Sequence, residues 1–323
     1  MHLRAGGSLD VASHTISELG ESPRWDAQRG VLWWVDIIGS SLHALHADGR
    51  VTTHTLPRAA GAVNVAADGR LLLATTAGVE LFDPATGESV IIVPIEAELG
   101  ERRMNDAAVD PAGRVYAGTM RWNAGDPPHD GVLYRVTGQN PAVAVLTGLG
   151  CPNGLAWPRP DLLAYVDSMT RSIALWSVEP ETGDLLEQTG SIDVSRFDGV
   201  PDGLTLDAEG ALWCAFWNGG AVRRFALDGT VLATVELPTR LVTAVAFGGV
   251  DLETLYITTA REQPAPDARG SAVGGNTVEA VDTVEAVDTV DSAAGLLYRS
   301  TPGQRGVVST LWPSVSRPRG TPH

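Results

Sequence analysis

The stretch DAQRGVLWWVDI, residues 26–37, is a polar turn followed by an apolar, β-branched and aromatic run, and its recurrence decides the fold. Matching turns stand at 68–69, 110–113, 158–161, 207–210 and 248–252. They lead into RLLLAT (70–75), RVYAGTM (114–120), LLAYVDS (162–168), ALWCAFW (211–217) and TLYITTA (254–260). Six copies at intervals of about 40 to 50 residues carry the period of a four-stranded propeller blade. The expectation is an all-β chain, a six-bladed β-propeller of four-stranded antiparallel blades.

A second apolar run follows at hairpin distance in each copy: SLHALH, GVELFD, GVLYRV, SIALWSV, AVRRFAL and GLLYRS. Turn chemistry such as Asp48-Gly49, Asp83-Pro84 and Asp228-Gly229 flanks them. Helical periodicity is weak, and only residues 95–102 suggest a turn or two of helix. One period from end to end predicts that residues 1–323 form a single domain. The alternating stretch VASHTIS near the N-terminus is expected to add a strand to the last blade and close the ring.

The formal net charge of −16 argues against nucleic acid or an anionic membrane as partner. No apolar run approaches the roughly 20 residues that span a bilayer, and MHLRAGGSLD lacks the apolar core of a signal peptide. Two cysteines, Cys151 and Cys214, are too few for a disulfide framework and read as buried thiols. A cytoplasmic protein is the simplest expectation. Residues 262–293, with a near-tandem VEAVDT, interrupt the last copy and read as a mobile, solvated insertion. The tail SVSRPRGTPH is expected to fray.

Glu21, Asn105, Asn153 and Asp202 each stand five residues ahead of the turn residue of their copies. The innermost strand of a blade borders the central channel, so one register in four blades puts four oxygen-bearing side chains around one axis. The second and sixth copies hold Val63 and Thr243 there. Two carboxylates and two amides at one channel mouth are costly to desolvate unless a cation sits among them. Oxygen donors suit Ca²⁺, Mg²⁺ or Mn²⁺, with Zn²⁺ also allowed. The bland alternative is that Pro-Asn-Gly and Pro-Asp-Gly are ordinary turn formers.

These residues also carry a resemblance. Leu19-Gly20-Glu21-Ser22-Pro23, Arg103-Met104-Asn105-Asp106, Ala117-Gly118-Thr119-Met120, Pro152-Asn153-Gly154-Leu155 and Pro201-Asp202-Gly203-Leu204, in that order, resemble the SMP-30/gluconolactonase/luciferin-regenerating-enzyme family. The resemblance implies a six-bladed propeller holding one divalent metal through Glu21, Asn153 and Asp202. It also implies that Arg103 and Asn105 bind substrate; two apart on an extended segment, they face one side. Animal members carry an acidic pair where this chain has Arg121-Trp122-Asn123. That leaves Trp122 as a sugar-stacking or lid residue and Asn123 in a carboxylate's place.

The implied chemistry is hydrolysis of a sugar lactone, such as gluconolactone or a pentonolactone, with Asp202 abstracting a proton as well as binding metal. No Gly-x-Ser-x-Gly elbow supports a serine nucleophile. The alternatives are a non-enzymatic calcium-binding or protein-interaction propeller, and a related esterase or organophosphate hydrolase. Oligomeric state is left open.

Overall fold

A computed structural model describes residues 7–96, 101–122, 129–261 and 291–313. Its strands pair into six four-stranded antiparallel sheets, the blades of a β-propeller. The innermost strands are Gly20–Asp26, Ala60–Val65, Arg102–Val109, Pro152–Arg159, Val200–Leu206 and Val242–Gly248, which we number as blades 1 to 6. Each inner strand touches the next around the ring, and blade 6 meets blade 1. Blades 1 and 4 therefore face each other across the channel.

The apolar runs become the second strands, among them Val31–Asp36 and Leu162–Asp167, every residue of which is buried. Burial on both faces follows from the architecture, because each blade is packed between two others. One hydrophobic cluster fills each of the six seams, for example Val35, Leu42, Val63 and Phe82 between blades 1 and 2. Nonpolar burial is thus spread around the ring, and the axis is left to polar groups.

Closure occurs where expected, but earlier in the chain. Leu9–Ser13 pairs with Leu297–Ser300 as the outer strand of blade 6. The register shifts between Val11 and Ser13, and Ser13 Oγ then accepts from Thr15 N at 3.0 Å, which turns the chain out of the sheet before the rest of VASHTIS. Of the helix expected at 95–102, residues 97–100 lie outside the described residues, and Arg102 already opens a strand. Residues 262–290 of the insertion and the tail 314–323 also lie outside them. Among the described residues no helix is long and apolar enough to cross a membrane.

An unforeseen segment follows the last strand. Arg305 O accepts from Ala208 N at 2.7 Å and Gly306 N donates to Leu252 O at 2.8 Å, at the turns of blades 5 and 6. Further on, Trp312 exchanges backbone hydrogen bonds with Val65 and Ala67 of blade 2, both at 2.9 Å, and its ring is fully buried. Residues 305–313 therefore cross the end of the ring opposite the starts of the inner strands.

Every inner strand carries an extra residue relative to its partner near its start, and Pro152–Arg159 carries a second between Ala156 and Arg159. The register slips between Glu21 and Arg24, Ala60 and Ala62, Met104 and Ala107, Pro152 and Leu155, Pro201 and Leu204, and Val242 and Val245. Such bulges re-aim side chains that strict alternation would send into the seams. Gly154 and Gly203 lie inside two of them, and neither has the positive φ of a turn glycine. They are there for space: a Cβ on Gly154 would stand 2.5 Å from Leu204 N, and one on Gly203 would stand 2.5 Å from Ala244 Cβ. Pro-Asn-Gly and Pro-Asp-Gly are therefore places where inner strands touch, and the turn-former reading does not hold.

Candidate metal centre and active site

Asn105, Asn153 and Asp202 lie within the bulged intervals of blades 3, 4 and 5, and Glu21 borders that of blade 1. All four are buried and line one cavity of about 480 Å³, together with Arg103, Trp122, Cys151 and Ser168. The other two positions of the register turn away. Val63 packs in a seam, and Thr243 Oγ1 donates to Gly20 O at 2.5 Å.

A chain of hydrogen bonds fixes the floor. Arg103 Nη1 donates to Asn105 Oδ1 at 2.5 Å and to Met104 O at 3.2 Å. Asn105 Nδ2 donates to Pro152 O at 2.8 Å and to Asn153 Oδ1 at 2.9 Å. Asn153 Nδ2 in turn donates to Ser168 Oγ at 2.8 Å, and Ser168 Oγ donates to Pro201 O at 2.7 Å. Each amide keeps both N–H groups engaged, so both amide oxygens are held in place with a lone pair to spare. Above the floor, the Arg103 guanidinium lies 5.8 Å from the ring centroid of Trp122, which is exposed at the cavity mouth.

The carboxylates are out of balance. Burial, followed by the charge of Asp106, raises the Glu21 carboxyl to about 8. Burial, then the charges of Glu21 and Asp106, holds Asp202 well above the usual carboxylate range. Asp202 Oδ1 is buried with no hydrogen-bond partner among the described residues. An acceptor-only oxygen left bare beside a second carboxylate calls for a positive group. Arg103 is the cation beside both carboxylates, but burial lowers its own pKa and among the described residues its hydrogen bonds run to Asn105 and Met104; Arg24, whose charge also reaches Glu21, is turned to Asn64, Pro23 and Ala107.

The donor set of Glu21, Asn153 and Asp202 is all oxygen, suits a hard divalent cation and fits the bare Asp202 oxygen. It depends on the amide, for no group of three or more His, Cys, Asp or Glu among the described residues is placed to hold a metal. Asn123 lies outside the described residues. Sequence reasoning missed Ser168 and Asp106, although both stand in the quoted motifs. Cys151 and Cys214 are free and buried as expected, but Cys151 also lines the cavity, its thiol pushed up to about 12 by burial.

Residues 19–261 match the model of the SMP-30/Gluconolactonase/LRE-like region. The chain belongs to that family. Among curated proteins it is 35% identical over 267 residues to a pentonolactonase of Haloferax volcanii, covering 80% of this chain and 86% of that one. It is 38% identical over 255 residues to a 6-deoxy-6-sulfogluconolactonase of Pseudomonas putida, covering 76% and 84%. Among solved structures, the calcium-binding protein regucalcin from Agrobacterium tumefaciens superposes with a TM-score of 0.81 at 29% identity, over 94% of this chain and 96% of that one. A luciferin-regenerating enzyme gives 0.82 at 25% identity, over 95% and 99%.

Proposed function

We propose that the protein hydrolyses a sugar lactone, an aldonolactone such as gluconolactone or a pentonolactone, to the open-chain acid, with one divalent cation held by Glu21, Asn153 and Asp202. The observation that carries this reading is the partnerless Oδ1 of buried Asp202, set beside Glu21 in the cavity that also holds Arg103. The lactonase names of the curated relatives support the reaction, and the regucalcin likeness supports the cation. When bound, such an ion acts as a Lewis acid toward an ester carbonyl and stabilises its developing negative charge.

The chain's own residues supply the rest. Among the described residues Arg103 bonds through Nη1, which leaves Nε and Nη2 for ring or hydroxyl oxygens of the sugar. Asn105 holds that guanidinium in place. Asp202 is the general base: a carboxylate that gives one oxygen to a cation keeps the other to take a proton from water. The hydroxyl so formed adds to the carbonyl carbon, the ring C–O bond breaks, and the released alkoxide takes up the proton. Trp122 offers an aromatic face at the mouth on which a sugar ring can stack.

The test is to strip the protein with a chelator, reload it with Ca²⁺, Mn²⁺, Mg²⁺ or Zn²⁺, and follow acid release from a panel of aldonolactones in a pH-stat. Turnover with at least one metal and one lactone, abolished by chelation, is expected. Binding of Ca²⁺ without acid release from any member would favour a calcium-binding propeller instead.

A further inference from the structure

We infer that Asp36 and Asp167, which lie outside the proposed ligand set, are a matched pair of positioning residues that set Glu21 and Asn153 from opposite sides of the ring. The inference rests on the reading that these two side chains hold a cation. Both aspartates are the last residues of second strands, Val31–Asp36 and Leu162–Asp167, and both are buried. They pair with the residues just ahead of the proposed ligands, Asp36 with Gly20 and Asp167 with Pro152.

The two carboxylates bind the backbone identically. Asp36 accepts from Glu18 N at 2.9 Å and Leu19 N at 3.0 Å. Asp167 accepts from Gly150 N and Cys151 N, both at 2.9 Å. In each case the donors are the third and second residues ahead of Glu21 or Asn153. A backbone bond repeats the match, from Ile37 N to Leu19 O and from Ser168 N to Cys151 O, both at 3.0 Å. Each carboxylate also takes a third N–H from its own side, Gly39 N at 3.0 Å for Asp36 and Met169 N at 3.2 Å for Asp167.

Space is reserved for this arrangement, since a Cβ on Gly39 would stand 2.4 Å from Asp36 Oδ2. The equivalent second-strand positions of the other four blades, opposite Ala60, Met104, Pro201 and Val242, are Thr75, Thr119, Phe216 and Thr259. Carboxylates stand only in blades 1 and 4, which face each other across the channel. A carboxylate is the side chain that accepts three N–H bonds at once and donates none. A clamp needed only to hold a blade together would serve all six alike.

The experiment compares full-length wild type with D36N, D167N and D110N, each freed of metal and titrated with Mn²⁺ by calorimetry, with Tm measured in parallel. Asp110 is the control, a buried carboxylate that accepts Ala112 N at 3.0 Å and Arg114 N at 2.8 Å at the other end of its inner strand. We expect D36N and D167N each to weaken Mn²⁺ binding by about 10-fold to 100-fold. D110N should lower Tm and leave Kd unchanged. Either blade variant suffices if the other does not fold. Wild-type Kd in D36N and D167N, or an equal loss in D110N, overturns the inference and leaves the proposed function standing. A wild-type protein that binds no divalent cation overturns the metal reading and this inference with it.

Discussion

Asn105 Nδ2 stands 2.9 Å from Asn153 Oδ1, so neighbouring inner strands share one amide-to-amide hydrogen bond, and the orientation of one side chain dictates that of the other. With its N–H groups spent on blade 4, Asn105 can only turn its oxygen to Arg103, and with Ser168 taking its N–H, Asn153 can only turn its oxygen to the cavity. Ser168→Ala removes that acceptor from a buried amide, a loss of about 1–3 kcal/mol. Weaker Mn²⁺ binding is expected by calorimetry, with partial rescue by Ser168→Thr.

Asp202→Asn keeps the shape of the side chain and removes the proton acceptor. The turnover number should fall by about 10²-fold to 10⁴-fold, the usual worth of a general base. The metal-free variant should melt no lower than wild type, because a buried carboxylate repelled by Glu21 and Asp106 has been neutralised. Acid release in a pH-stat and a thermal melt check the two halves separately.

Metal removal should reverse the usual acid sensitivity of a carboxylate-rich site. The Glu21 carboxyl rises from an ordinary 4.5 to about 8, so the folded protein binds more protons than the unfolded chain between those values. The stability contributed by this group is complete below about 4.5 and is lost as pH climbs through about 8. The Tm of chelated protein should therefore fall from pH 5 to pH 8, and saturating Ca²⁺ should flatten or invert the slope. A chelated protein whose Tm rises across that range would contradict the placement of Glu21.

Arg103→Lys exchanges a planar fork for a point charge. A lysine that keeps both the Asn105 and the Met104 bond has one N–H left where Arg103 has three, so KM for the lactone should rise by about 10-fold or more, in line with the loss of charged hydrogen bonds. The Kd for Mn²⁺ should be little affected, since Arg103 is not among the proposed ligands. Trp122→Ala should raise KM with a change in stability of about 1 kcal/mol or less, as suits a side chain that is 43% exposed at the cavity mouth.

The propeller was legible because its period is written in residues that each blade needs: a turn, an apolar second strand and a hairpin. The shared register of Glu21, Asn105, Asn153 and Asp202 likewise brought one cavity within reach of the sequence. The bulges were not legible, because an extra residue in a strand changes direction without changing composition. Gly154 and Gly203 look in sequence like turn glycines, and only the approach of Leu204 and Ala244 gives their reason. Ser168, Asp36 and Asp167 were hidden for a related cause: their partners are backbone groups or lie in other strands, and no spacing announces them.

The segment 305–313 gives the ring a back wall. Val307, Val308, Ser309 and Thr310 line a small cavity of about 130 Å³ with Arg24, Asn64, Leu155 and Thr205. Behind them Arg24 reaches Asn64 Oδ1 at 3.2 Å and Ala107 O at 3.0 Å. Among the described residues this segment covers the back of the axis, and the cavity that holds Glu21 and Asp202 is the bowl of a cup with Trp122 at its lip. Whatever is made at the base of the cup departs along the path by which its precursor arrived, so an accumulating acid should slow the enzyme by competing for the threshold itself.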